Sequence, residues 1–273
     1  MSYALSFDES PAEAVERVRR EQLEAAAAGL REDPTDAEAI HDARKRIKKT
    51  RALLRLARPV MKRKAFQTRN HALRDAGREL SAARDAEVLA ETVGDLAERY
   101  PGRARYGPVH VILSDREAEP GHASLNHLVG ARWKLDGLDT DMLAEAFTRV
   151  YADGRKAFAS KPTTENLHEW RKRVKDLWYQ QRLLEETWPG VMKAQAKEAK
   201  KLSKLLGEDH DLAVLSATLR SDPELTRFAD EFEPVIAKRR KKLLKRSRRL
   251  GRRVYAEKPK AFAKRFSRYL EVA

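Results

Sequence analysis

The chain of 273 residues has no cysteine, which excludes disulfides, thiolate metal sites and cysteine nucleophiles together. No apolar stretch approaches the roughly 18 residues needed to span a bilayer. The first ten residues, Met1 to Ser10, have neither the basic start nor the apolar run of a secretory signal. A cytoplasmic location with no membrane partner is therefore expected. Also missing are the HExxH spacing of a zinc site, a carboxylate cluster for Mg²⁺ and a phosphate-cradling Gly-rich loop. No metal, no cofactor and no catalytic group is expected, so the chain is expected to bind rather than to catalyse.

Positive charge is what the chain has in excess. Lys and Arg total 57 against 42 Asp and Glu, for a net charge of +15 and a pI near 10.0. That balance points to a polyanionic partner: nucleic acid, an acidic membrane surface or a phosphate polymer. Ala, Leu, Arg, Lys and Glu dominate, β-branched residues are scarce, and apolar positions recur at helical spacing, so the fold class is all-α.

The most informative pattern is a repeat. His41-Asp-Ala-Arg44-Lys45-Arg46-Ile47-Lys48 continues to Arg55-Leu56, and 127 positions on His168-Glu-Trp-Arg171-Lys172-Arg173-Val174-Lys175 continues to Arg182-Leu183. Seven of the sixteen aligned positions are identical, and most of the shared residues are cations. Further along, Leu80-Ser-Ala-Ala-Arg84-Asp85 parallels Leu206-Gly-Glu-Asp-His210-Asp211 at an offset of 126, a slip that a short loop change would produce. A period this long implies a tandem duplication of a helical bundle rather than a solenoid. The boundaries fall at about 8–125 and 126–273, within one unit spanning 1–273. Residues 100–125, with three Pro and three Gly, are the expected irregular connection, and the apolar run from Val109 to Leu113 reads equally as strand or helix.

On a helical wheel with His41 at zero, Arg44, Lys45, Lys48, Arg51 and Arg55 fall between about −80° and +40°. Ile40, Ala43, Ile47 and Leu54 lie beside them. Burying the apolar face thus sets the cations along a groove between helices. The second copy repeats this with His168, Arg171, Lys172, Lys175, Tyr179 and Arg182. Each stripe is about 21 Å long, and neither stripe contains a carboxylate, unlike an ordinary solvated face. A second cationic row is expected from His71, Arg74 and Arg78, matched by Lys197, Lys200 and Lys204. Arg84 and His210 are expected to start the next helix of each half, with Asp85 and Asp211 as helix-start residues or orienters of their neighbours rather than catalysts. His110, His122 and His127 read as surface residues. Residues 238–253 hold eleven Lys or Arg and read as an amphipathic helix with basic flanks, or as an extra polyanion contact.

Taken together, the two histidine-led helices and the Arg84-Asp85 and His210-Asp211 elements make the chain resemble the CHAD (conserved histidine α-helical domain) family over nearly its whole length. The resemblance implies two four-helix bundles related by pseudo-two-fold symmetry, with basic helices lining a central groove that binds inorganic polyphosphate. Carried onto this chain, the contacts would be His41, Arg44, Lys45, Lys48, Arg51, Arg55, Arg74, Arg78 and Arg84 in the first half. In the second half they would be His168, Arg171, Lys172, Lys175, Tyr179, Arg182, Lys197, Lys200, Lys204 and His210. Two departures stand out. Trp178 occupies the place of Arg51, and Glu117-Ala-Glu119 and Glu231-Phe-Glu233 lack the lysine that completes the Glu-x-Glu-x-Lys signature of a triphosphate tunnel domain. Nucleic acid is the alternative ligand and an expected weak competitor, and an enzyme acting on phosphate chains or phosphoramidates ranks below both. Association with polyphosphate granules is a further expectation.

Overall fold

The computed structural model describes residues 3–116 and 125–273, with the side chains of 82–86 excepted. Among the described residues there are eleven α-helices and no strand. They are α1 (Pro11–Glu32), α2 (Ala37–Leu56), α3 (Arg63–Glu79), α4 (Ala82–Arg99), α5 (Tyr106–Ser114) and α6 (Asn126–Gly130), then α7 (Thr140–Ala159), α8 (Thr164–Leu183), α9 (Pro189–Ser221), α10 (Ala229–Val254) and α11 (Pro259–Glu271). No described helix is long and apolar enough to cross a membrane.

The two basic runs lie on α2 and α8, each of 20 residues. Their starts are set by the polar residues before them. The Asp36 carboxylate accepts from the backbone N–H groups of Glu38 and Ala39, and the Thr163 hydroxyl accepts from that of Asn166. Such caps satisfy donors that the first turn leaves unpaired, worth about 1 kcal/mol each. Both helices run into a 3-10 turn, Arg58–Val60 and Glu185–Thr187, still 127 positions apart. The slip to 126 falls next, because Met61 and Lys62 precede α3 where Trp188 alone precedes α9.

Beyond that point the halves differ. The first half breaks at Leu80 and Ser81 between α3 and α4. There the Ser81 N–H donates to the Arg78 carbonyl and its hydroxyl to the Gly77 carbonyl, so local bonds compete with the helical ladder. The second half carries straight through as one helix of 33 residues. His210 therefore sits inside α9 and does not start a helix, and Asp211 is not a helix-start residue. Arg84 does fall at the start of α4, with its side chain outside the described residues, as is that of Asp85.

The stretch around 100–125 is not an irregular connection throughout. The run from Val109 to Leu113 lies in helix α5, where Val109 and Leu113 are buried and the Tyr106 ring meets Phe232 edge-on at 5.3 Å. Residues 117–124, which include Glu117, Glu119 and His122, lie outside the described residues. His110 is exposed, with the Ser114 hydroxyl 3.3 Å from its Nδ1, and His127 is also exposed.

Buried side chains form two cores, and they divide along a different line from a boundary near residue 125. The larger joins α1, α2 and α3 to α7, α8, the first half of α9 and α11, with Val18, Ile47 and Leu53 packed among Phe147, Val174 and Leu177. The smaller joins α4 and α5 to the rest of α9 and to α10, through Val93, Val109, Leu215 and Phe232. Both cores need residues from either side of 125. α2 and α8 pack against each other, and the buried Gln180 amide donates to the Ala52 carbonyl at 3.1 Å, tying one basic helix to the other.

Candidate polyanion-binding cleft

A cleft of about 480 Å³ opens between α2 and α8, with α4 and α9 closing its end. From α2 it receives His41, Arg44, Lys48, Arg51 and Arg55, and from α8 Arg171, Lys172, Lys175, Asp176 and Tyr179. Val88 of α4 and His210 and Asp211 of α9 complete it. Seven Lys or Arg thus face two Asp. Ten of the expected contact residues meet in one place.

The α2 cations are held by neighbours. Arg44 donates to the Leu80 carbonyl at 3.0 Å, where the end of α3 offers negative dipole. Arg51 donates to the Asn70 side chain at 3.3 Å, and Arg55 to the Arg51 carbonyl at 2.9 Å. Arg55 is also ion-paired to Asp176 at 3.3 Å, and Asp176 to Arg173 at 3.4 Å. His41, Lys48 and Lys172 are exposed, and Lys172 pairs with Glu169 at 2.8 Å.

The α8 side is deeper. Burial, reinforced by Arg171, Lys48 and Arg44 and opposed by Asp211, pulls the Lys175 ammonium down to about 7. Burial lowers Arg171 too, against Asp211, and the Arg171 Nε is buried with no hydrogen-bond partner among the described residues. Burial also raises the carboxyls of Asp176 and Asp211 despite the cations beside them. These groups are charges held partly out of water, where each is costly until something of opposite sign arrives.

His210 and His168 face each other, with Nδ1 atoms 3.2 Å apart and ring centroids at 4.5 Å. Burial first, then Arg171, His168 and Lys175, lowers His210 to about 4. His168 is lowered by burial and by Lys172 and Arg171. Both imidazoles are therefore neutral at neutral pH. The Tyr179 phenol, pushed up to about 12 chiefly by burial, is a donor into the cleft, with its ring stacked on Trp178.

The remaining expected residues lie elsewhere. Lys45 is exposed and paired with Asp42 at 3.5 Å, and His168 stands behind His210. Arg74 is paired with its neighbour Asp75 at 2.8 Å, and Arg78 is exposed without lining the cleft. Arg182 lies over the Tyr3 ring at 5.3 Å and Lys200 over Trp178 at 5.8 Å. Lys197 and Lys204 are exposed, and Lys204 lines an adjoining, largely acidic cleft between α4 and α9 that shares Val88 and Asp211 with this one. The second cationic row thus does not line this cleft: no side chain of α3 reaches it, and Lys197, Lys200 and Lys204 lie earlier along α9 than His210 and Asp211.

Carboxylates also enter where none was expected. Asp176 sits about 80° from His168 on the wheel, at the edge of the stripe, and Asp211 arrives from α9. Asp176 has a sequence signal, for it stands where the first copy has Lys49. Arg55 also lines an adjoining cleft of about 430 Å³ with Arg58, Arg149 and Arg173 and two carboxylates, Glu145 and Asp153.

The fold and cleft together define an all-α protein whose paired basic helices enclose a cationic groove. The chain belongs to the CHAD-domain family, whose model matches residues 15–220. No curated protein matches the sequence.

Proposed function

We propose that the α2–α8 cleft binds inorganic polyphosphate without breaking any bond in it. The observation that carries this reading is the α8 pair, Lys175 with its charge suppressed to a pKa of about 7 and Arg171 with an unpartnered buried Nε. A linear polyanion supplies what both lack, a dense row of acceptor oxygens that needs no specific base or ring. Membership of a family associated with polyphosphate supports the same ligand. The parallel bounds of α2 with α8 and of the two 3-10 turns support reading the chain as a duplicated pair of helical bundles about a pseudo-two-fold axis. A chain that fills the cleft and passes Arg55 reaches the adjoining cleft, where Arg58, Arg149 and Arg173 outnumber Glu145 and Asp153. Affinity should therefore rise with polymer length before levelling off. In the cell, such a protein would sit on cytoplasmic polyphosphate granules.

Nucleic acid is the weaker reading for this cleft. Single strands favour exposed aromatic platforms, yet the Tyr179 ring is 5% exposed, and a cleft of about 480 Å³ does not admit a duplex. Titration with polyphosphates of graded length, against duplex DNA and tRNA, tests the proposal. Lys48→Glu with Lys172→Glu changes two exposed positions, so the fold should survive while polyphosphate affinity falls at least tenfold. Unchanged affinity in that variant would remove the ligand from the cleft. Phosphate release by the pure protein would instead make it an enzyme.

A further inference from the structure

We propose that the outward face of α9 and α10 is a second, separate polyanion site, one that takes the phosphodiester backbone of a double-stranded nucleic acid. The α10 segment 238–253 has no Asp or Glu, and eight of its eleven cations are exposed. The other three turn inward. Arg239 pairs with Glu208, Arg240 with Asp209 at 3.0 Å, and Arg248 donates to the Ser160 carbonyl at 3.5 Å. These contacts fix the helix, and the outward cations take no part in them. Lys242, Arg246, Arg249 and Arg253 fall within about 60° of arc, and the segment from Lys238 to Arg253 spans about 22 Å.

Across a shallow cleft of about 380 Å³, Arg246, Arg249 and Arg253 meet Lys201 and Lys204 of α9. Two cationic rows thus flank one furrow floored by Leu205 and Leu250. Among the described residues no carboxylate lines it. Beside it, Glu198 bonds Lys201 at 2.6 Å. Along α9 the furrow is divided from the polyphosphate cleft by the cleft between α4 and α9, where Glu91, Asp95, Glu98 and Glu208 repel a chain passing from one to the other. The two cationic surfaces are therefore separate sites.

Shape and chemistry select the occupant. The recessed, half-buried cations of the α2–α8 cleft suit a thin chain, whereas the α10 cations stand in water on an open face that a wide, rigid polyanion can reach. Duplex nucleic acid carries one charge per about 1.7 Å of axis, and Arg and Lys can neutralise it without reading bases. No aromatic ring lines the furrow, so a single strand has no stacking platform there. A membrane surface is disfavoured because Leu243 is fully buried and Leu244 and Leu250 pack into the core, which leaves α10 no apolar side chain to insert. The family match ends at residue 220, so α10 lies outside it.

The test uses the full chain, a short labelled DNA duplex, labelled polyphosphate and anionic phosphatidylserine vesicles. Arg246→Glu/Arg249→Glu/Arg253→Glu should weaken duplex binding at least tenfold and flatten its salt slope by about 2.7, at about 0.9 per phosphate. Polyphosphate affinity should stay within twofold of wild type. Lys48→Glu/Lys172→Glu should leave duplex binding in place, and one equivalent of polyphosphate should not displace the duplex. The Arg→Gln triple variant, with an unchanged melting curve, guards against misfolding. Duplex binding that follows the cleft variant, or equal losses of polyphosphate and duplex in the outer variant, would overturn the proposal. So would loss of vesicle binding with duplex binding intact, or no duplex binding by wild type at moderate salt. Because the duplex is measured separately, the polyphosphate reading can fail while this one stands.

Discussion

Helix α8 lies deeper than helix α2, although both carry the same histidine-led run over equal lengths. Lys48 is exposed, while its counterpart Lys175 is largely withdrawn from water, with its pKa at about 7. Arg44 bonds a helix end, while its counterpart Arg171 has a buried Nε with no hydrogen-bond partner among the described residues. The cause lies downstream of the motif. The second half continues as the unbroken α9, which packs on α8 more extensively than the shorter α3 does on α2, and His210 of α9 covers His168. A duplicated charge pattern has thus diverged in role. On α2 Lys48 stays in water and acts through it, whereas Lys175 and Arg171 on α8 are desolvated and gain most from an anion at contact.

The largest expected effect separates the matched lysines. Lys175→Ala should weaken polyphosphate binding about 10- to 100-fold, as for a charge-assisted hydrogen bond out of water. Lys48→Ala should cost less than about fivefold, as for a solvated ion pair. Equal losses, measured by titration under identical salt, would erase the distinction between the helices.

Dependence on pH is the next largest. In the free protein Lys175 loses its proton as pH rises through about 7, and a bound phosphate restores the proton. Affinity should therefore be highest below pH 7 and fall by up to about tenfold per unit above it, with Lys175→Ala flattening the profile. Stability runs the other way. The buried charge destabilises the fold fully below about pH 7, and the penalty lifts as pH rises toward the ordinary lysine value. Melting curves of wild type and Lys175→Met across this range should converge at alkaline pH. His210 and His168 add no charge near neutral pH, because His210 is held at about 4 and His168 is also lowered.

A smaller effect is expected at Asp176, which stands where the first copy has Lys49. Asp176→Asn should raise polyphosphate affinity about two- to fivefold, by removing a negative charge from the cleft. It should also lower the melting temperature, because Arg55 and Arg173 lose their shared partner. Lys49 lies over the Tyr3 ring at 4.8 Å outside the cleft, so Lys49→Gln should change affinity less than twofold.

The all-α fold, the caps before α2 and α8 and the cleft contacts of both basic helices were legible from spacing alone, because amphipathic periodicity and polar caps are local properties. His210 was legible as a motif member but misplaced at a helix start, since nothing in Leu206-Gly207-Glu208-Asp209 announces that α9 runs on where Leu80-Ser81 breaks. The second row from Arg74, Arg78, Lys197, Lys200 and Lys204 does not line the α2–α8 cleft, for a tertiary reason. Positive spacing on one helix says nothing of which face its neighbours leave open. Asp176 was marked only by replacing Lys49 at the edge of the stripe, and the entry of Asp211 into the cleft depends on how α9 is placed against α8.

The most direct test of the account is the ionisation of Lys175 itself, followed by NMR of labelled lysine side chains with and without saturating polyphosphate. The free protein should titrate near 7, and the complex should hold the charge to about pH 9 or beyond. A Lys175 titration that polyphosphate leaves unmoved would contradict the placement of the polymer against α8.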